Sequence, residues 1–209
     1  MDRFRLDPLY PITSISNRIG LGHVELARIF LDSGIRLFQV RDKERSDRHL
    51  LEDLVEINRL CVERGARLIV NDRLDLALAC RAGGLHLGQD DLPVDTVRRI
   101  AGNRLVVGLS THSETEFLAA QRLDVDYVAI GPVFESVTKT GRYRPLGLDL
   151  VKRLVAVKQR PVVAIGGIEL TRAQRLWDAG VDSVAVIHDI IDASDPASRI
   201  TQYLQAGQG

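Results

Sequence analysis

The segment Ser33-Gly34-Ile35-Arg36-Leu37-Phe38-Gln39-Val40-Arg41-Asp42-Lys43 sets out one complete repeat of this chain. A glycine ends a helical stretch, a short apolar run follows, and polar and cationic side chains gather directly after it. Gly34 suits the left-handed residue that closes a helix and feeds a strand. The apolar run suits a parallel strand covered on both faces. In extended chain, residues two apart point the same way, so Gln39, Arg41 and Lys43 reach toward one site together. Arg offers a planar fork and Lys a point charge, a pairing suited to phosphate or diphosphate oxygens.

The same repeat recurs outward in both directions. Apolar runs stand at Leu9 to Ile12, Leu37 to Val40, Leu68 to Val70, Leu85 to Leu87, Leu105 to Leu109, Tyr127 to Ile130, Val162 to Ile165 and Val184 to Ile187. Helical spacing separates them, clearest at Leu50, Leu54, Ile57 and Cys61, and at Ile200 and Leu204 behind the start signal Asp195-Pro196. Helix-closing glycines recur in Arg64-Gly65-Ala66 and Ala179-Gly180-Val181. Eight strand–helix units predict an α/β fold, a TIM (βα)8 barrel, with a doubly wound open sheet as the other arrangement. The length of 209 residues suits a single domain over 1–209.

Composition narrows the function. Lys plus Arg and Asp plus Glu are both 28, so no basic excess favours nucleic acid or an anionic membrane surface. An anion site must be local. Cys61 and Cys80 lack metal-type or C-x-x-C spacing, no charged-then-apolar leader opens the chain, and no apolar run approaches the roughly 20 residues that cross a bilayer. A reduced, cytoplasmic protein with small-molecule ligands is expected, monomer or homo-oligomer being undecided.

In a barrel, chemistry gathers at the carboxyl ends of the strands. After the second run come Arg41 and Lys43; after the third, Asn71 and Asp72; after the fourth, Gln89, Asp90 and Asp91; after the fifth, Ser110, Thr111 and His112. Ser136-Val137-Thr138-Lys139 follows the sixth, Gly166-Gly167 the seventh, and His188-Asp189 the eighth. Some of these residues have plainer readings. Asp90 and Asp91 before Leu92-Pro93 also fit a helix start. Arg41 and Lys43 taken alone also fit ordinary ion pairs. His86 reads as a satisfied core histidine, and His23 and His49 as surface helix residues. Gly141 to Gly147, with Arg142, Tyr143 and Arg144, reads as a loop or a mobile lid.

Seven ordered motifs carry a family resemblance: Leu9-Tyr10-Pro11-Ile12-Thr13, Gln39-Val40-Arg41-Asp42-Lys43, Asn71-Asp72-Arg73, His86-Leu87-Gly88-Gln89-Asp90-Asp91-Leu92, Gly108-Leu109-Ser110-Thr111-His112, Gly131-Pro132-Val133-Phe134 through Thr138-Lys139, and Ala164-Ile165-Gly166-Gly167-Ile168. Over about residues 9 to 192 the chain resembles the thiamine phosphate synthases. The resemblance implies a magnesium-dependent TIM barrel that joins hydroxymethylpyrimidine diphosphate to hydroxyethylthiazole phosphate and releases diphosphate. It implies catalytic roles for Arg41, Lys43, Ser110 and Lys139, and a pyrimidine diphosphate site of Gln39, Val40, Arg41, Asp42, Lys43, Asn71, Ser110 and Lys139. It further implies Asp72 and Asp91 as Mg2+ ligands and Ser136, Val137, Thr138, Gly167, Ile187 and His188 around the thiazole phosphate. His188 departs from the family's usual serine, and Ser136 stands where threonine is common. A thiazole tautomerase of the same superfamily, with a histidine near His112 as acid–base group, and a non-catalytic binding homologue are the competing readings.

Overall fold

A computed structural model describes residues 6–15, 19–135 and 143–207. Each predicted apolar run becomes a strand: β1 (Leu9–Thr13), β2 (Leu37–Val40), β3 (Arg67–Asn71), β4 (Gly84–Leu87), β5 (Val106–Thr111), β6 (Tyr127–Ile130), β7 (Val162–Ala164) and β8 (Ser183–Val186). They pair in parallel in sequence order, and β8 pairs with β1 at Leu9, Tyr10 and Pro11, which closes the barrel and removes the open-sheet alternative.

The helices are α1 (His23–Asp32), α2 (Asp47–Glu63), α3 (Leu74–Ala79), α4 (Val94–Ala101), α5 (Glu114–Ala120), α6 (Leu148–Val155), α7 (Leu170–Asp178), α8 (His188–Ile191) and α9 (Pro196–Ala206). The eight-helix expectation missed α8, a single turn between β8 and the last long helix. Asp195 caps α9 by accepting from Ser198 N–H, as its place before Pro196 predicts. Neither Asp90 nor Asp91 caps α4, whose N-cap is Pro93. Gly34, Gly65 and Gly180 all have positive φ, at 89°, 63° and 91°, in the turns that lead into strands.

Strand alternation divides the apolar side chains between two cores. Outward-facing Phe38, Val40, Leu68, Val70, Leu85, Val107, Val128 and Val184 pack with the helices. Inward-facing Tyr10, Ile12, Leu37, Ile69, Val106, Tyr127, Ala129, Val163 and Ala185 fill the barrel. Side chains in the same inward register nearer the carboxyl ends are the ones able to reach a ligand. Cys61 and Cys80 are free and buried. Among the described residues no helix is long and apolar enough to cross a membrane.

Candidate active site

Above the inner core, at the carboxyl ends of the strands, lies a cavity of about 530 Å³. Inward alternation on β2 brings Gln39 and then Arg41 to its wall. Lys43 arrives differently. Because β2 ends at Val40, the period of two does not extend to Lys43, which crosses the following turn to place Nζ 3.8 Å from Asp72 Oδ2. Asn71 from β3 and Ser110 from β5 line the same cavity, as do Gly167, Ile187 and His188 on the far side. Ser136, Val137, Thr138 and Lys139 lie outside the described residues.

Two members of the expected diphosphate set turn away from the cavity. Val40 is buried in the outer core. The Asp42 carboxylate accepts Nε2–H of His23 at 2.9 Å and the N–H groups of Glu44 and Arg45 at 2.8 and 2.9 Å. Burial alone would raise the Asp42 carboxyl, but these backbone hydrogen bonds and His23 outweigh it and hold it below its ordinary value. Neither side chain is therefore turned to a ligand in the cavity. Asp42 instead pins the turn that carries Arg41 and Lys43.

His23 corrects the sequence reading. Expected on a helix surface, it is fully buried, with Thr13 Oγ1 2.7 Å from Nδ1 and Asp42 beyond Nε2. The helix around it is amphipathic, and nothing local marks its first residue as inward; its partners come from the ends of two other strands. His23→Leu would strand a buried acceptor and is expected to cost about 2 kcal/mol of stability. Urea denaturation checks this, and an unmoved midpoint would mean that the contact contributes nothing net.

Asp72 and Asp91 face each other across the ends of β3 and β4. Asp72 has φ 61°, a left-handed conformation that is unusual away from glycine. Asp91 Oδ2 accepts Gly88 N–H at 2.6 Å, closing the turn after β4. Burial, followed by the hydrogen bond and charge of Asp91, pushes the Asp72 carboxyl up to about 6, while Lys43 opposes the rise. Two carboxylates held together at this cost suit a divalent cation between them. No group of three or more His, Cys, Asp or Glu side chains suited to a metal occurs among the described residues. A cation here would draw its other ligands from water and substrate oxygens, as magnesium prefers.

The cavity floor was missed at the sequence level. Tyr10 and Tyr127 meet with hydroxyls 2.9 Å apart and rings edge to face, 5.8 Å between centroids. Gln39 Nε2 donates to Tyr10 at 3.2 Å. His86, buried and satisfied as expected of a core histidine but also lining the cavity, lies with Nδ1 2.9 Å from Tyr127 Oη and Nε2 2.8 Å from Ser110 Oγ. Gln89 braces the same strand by donating to Ser110 O at 2.6 Å. The tyrosines were legible only as apolar bulk, because their partners lie on distant strands.

The opposite wall differs in charge. Gly167, at φ 64°, is approached so closely by Glu135 O that a Cβ would stand 2.1 Å away. Arg172, unforeseen in the sequence although it opens the helix after the glycine pair, donates to Gly167 O at 2.6 Å and lies over the Phe134 ring. His188 is turned back on its own helix, with Nδ1 3.0 Å from Asp192 Oδ2. Asp189 accepts from Tyr203 Oη at 2.6 Å, tying α8 to α9. His112 donates from Nδ1 to Gly131 O and stacks on Tyr143, with ring centroids 3.8 Å apart. Thus Arg41 marks one end of the cavity, with Lys43 outside its lining against Asp72, and a mixture of Arg172, His188 and acids marks the other.

Comparison with known proteins agrees with this geometry. A family model described as thiamine monophosphate synthase matches residues 9–190. The thiamine-phosphate synthase of Pelotomaculum thermopropionicum is 37% identical over 192 residues, covering 92% of this chain and 88% of that one. The thiamine-phosphate synthase of Methanospirillum hungatei is 39% identical over 195 residues, covering 93% and 95%. The solved structure of thiamine phosphate pyrophosphorylase from Pyrococcus furiosus superposes with a TM-score of 0.88 at 33% identity, covering 96% of this chain and 95% of that one. Together with the closed barrel and its ordered strand-end motifs, these matches mean that the chain belongs to the thiamine monophosphate synthase family.

Proposed function

We propose that this transferase joins hydroxymethylpyrimidine diphosphate to hydroxyethylthiazole phosphate, with the diphosphate at the Arg41 end of the cavity and the thiazole phosphate at the Gly167 end. The observation that carries the reading is convergence: Arg41, Asn71 and Ser110 line one cavity, and Lys43 meets Asp72 beside it. Relatives named as synthases, rather than tautomerases, support the same choice.

The reaction breaks the bond between the pyrimidine methylene carbon and the diphosphate oxygen, and the bonding pair leaves with diphosphate. The thiazole nitrogen lone pair then forms the new C–N bond. Such a step needs stabilisation of departing charge more than a strong base. Arg41 provides paired N–H donors and Lys43 a mobile charge, while Asn71 orients the same oxygens. Lys139 is assigned to this end by the resemblance. Asp72 and Asp91 would hold Mg2+, which when bound neutralises diphosphate oxygens. Gly167 leaves space for its amide to approach the thiazole phosphate, with Ile187 and His188 beside it and Ser136, Val137 and Thr138 assigned there by the resemblance. Because Asp192 holds the imidazole of His188, a main-chain contact fits that residue better than a replacement for the usual serine hydroxyl. The free, buried cysteines fit a cytoplasmic setting.

Incubating the protein with both substrates and Mg2+, then oxidising product to fluorescent thiochrome, tests the reading. Thiamine phosphate is expected, and its absence at saturating substrate would sink it.

The raised Asp72 carboxyl adds a linkage prediction. Its folded value of about 6 lies above the ordinary 3.8, so the stability it contributes is full below 3.8 and is lost as pH rises through about 6. Mg2+ favours the ionised pair, so its stabilising effect on Tm should grow between pH 5 and 7. Asp72→Asn should remove that growth and impair Mg2+-dependent turnover without unfolding the barrel. A Tm response to Mg2+ that is flat with pH would remove Asp72 from the metal site.

A further inference from the structure

The hydrogen bonds beneath the cavity have a direction. Gln39 Nε2 is a donor, so it fixes Tyr10 Oη as an acceptor. Among the described residues the only other hydrogen-bond partner of the Tyr10 hydroxyl is Tyr127, so its proton points there. With Tyr127 Oη accepting from Tyr10, its own proton is available for the 2.9 Å contact with His86 Nδ1. An imidazole that accepts at Nδ1 carries its proton on Nε2, and that proton is 2.8 Å from Ser110 Oγ. Ser110 Oγ is then an acceptor toward His86, and its own O–H is left to point elsewhere.

We propose that Gln39, Tyr10, Tyr127 and His86 form a one-way chain that presents the Ser110 hydroxyl to the cavity as a hydrogen-bond donor. Tyr10, Tyr127 and His86 are positioning residues in this arrangement, acting through Ser110, although Tyr10 and His86 also line the cavity and Tyr127 alone lies behind it. Burial supports it. Tyr127 is fully buried, and Tyr10, Gln39, His86 and Ser110 are nearly so although their edges also line the cavity, so the contacts between them are made inside the wall. Both phenols are pushed up by desolvation and remain protonated, each with one proton to give. A buried donor aimed at the reaction space strengthens any contact with developing negative charge. What the donor acts on rests on the synthase reading, and the departing diphosphate oxygen is the group in that reaction that gains charge.

The test has an arm that needs no substrate. In 15N-labelled protein at neutral pH, the His86 imidazole signals, identified by their loss in His86→Gln, are expected to show protonated Nε2 and bare Nδ1. A dominant Nδ1–H tautomer, or an imidazolium, would overturn the proposal; the first would mean that Tyr10 donates to the Gln39 amide oxygen and that the Ser110 proton is consumed inside the barrel. Tyr10→Phe should release the order and give mixed tautomer signals. In the kinetic arm, Tyr127→Phe is expected to lower kcat about tenfold, with either KM changing by less than about twofold. Combined with Ser110→Ala, Tyr127→Phe should cause no further loss, because both act through the same hydroxyl. Additive losses would instead mark Tyr127 as structural and overturn the chain. Should the wild type show no turnover, the synthase reading falls and the imidazole signals still decide the direction of the chain.

Discussion

Replacing Arg41 with methionine is expected to lower kcat/KM about 100-fold or more, equivalent to about 3 kcal/mol of transition-state stabilisation. The side chain lines the cavity, and its partner cation Lys43 is more than half exposed and 3.8 Å from Asp72. Exposure weakens the field of Lys43 through solvent screening, so it cannot replace a cation at the cavity wall. Arg41→Lys should recover only part of the loss, because a point charge lacks the fork that meets two oxygens. Steady-state kinetics with thiochrome detection would show the difference. Activity of Arg41→Met within threefold of wild type would take Arg41 out of the diphosphate site.

Gly108→Ala should strongly destabilise the barrel. An added Cβ would stand 2.1 Å from Tyr127 Cζ and 2.4 Å from its hydroxyl oxygen, inside a packed layer. The ring is held by Tyr10 on one side and His86 on the other, so it has little room to yield. A loss of about 3 kcal/mol is expected, at the upper end of ordinary overpacking. Gly65→Ala provides the comparison: its φ is 63°, nothing lies within 4 Å of the added atom, and only the left-handed penalty of about 1 kcal/mol applies. Chemical denaturation of both variants separates the two costs. Equal losses would show that the Tyr127 ring moves aside freely.

The contrast between these sites explains what was legible in the chain. Tyr127 to Ile130 could be assigned as a strand from four residues, because a parallel strand covered on both faces is apolar throughout. Gln39 and Arg41 could be placed at one site because alternation is a local rule. Lys43 did not follow it, since the strand had ended and the turn carried it to Asp72, outside the cavity lining. His23 was misread because the groups that satisfy it, Thr13 and Asp42, are distant in sequence and brought together only by barrel closure. The same is true of Tyr10 and Tyr127, whose hydroxyls meet across 117 positions. Short-range signals exposed the rim of the site and not its floor. The helix α8 escaped for a different reason: four residues are too few to show a period.

The tyrosine floor makes the barrel a vessel with one mouth. Leu37, Ile69, Val106 and Val163 pack with the tyrosines inside the barrel, so among the described residues the interior is filled by apolar side chains. Under the proposed arrangement, a pyrimidine resting on Gln39 and Ser110 must be first in and last out, and the thiazole, closing the mouth behind it, sets the order of service. The finished product, which joins both heterocycles, must back out whole.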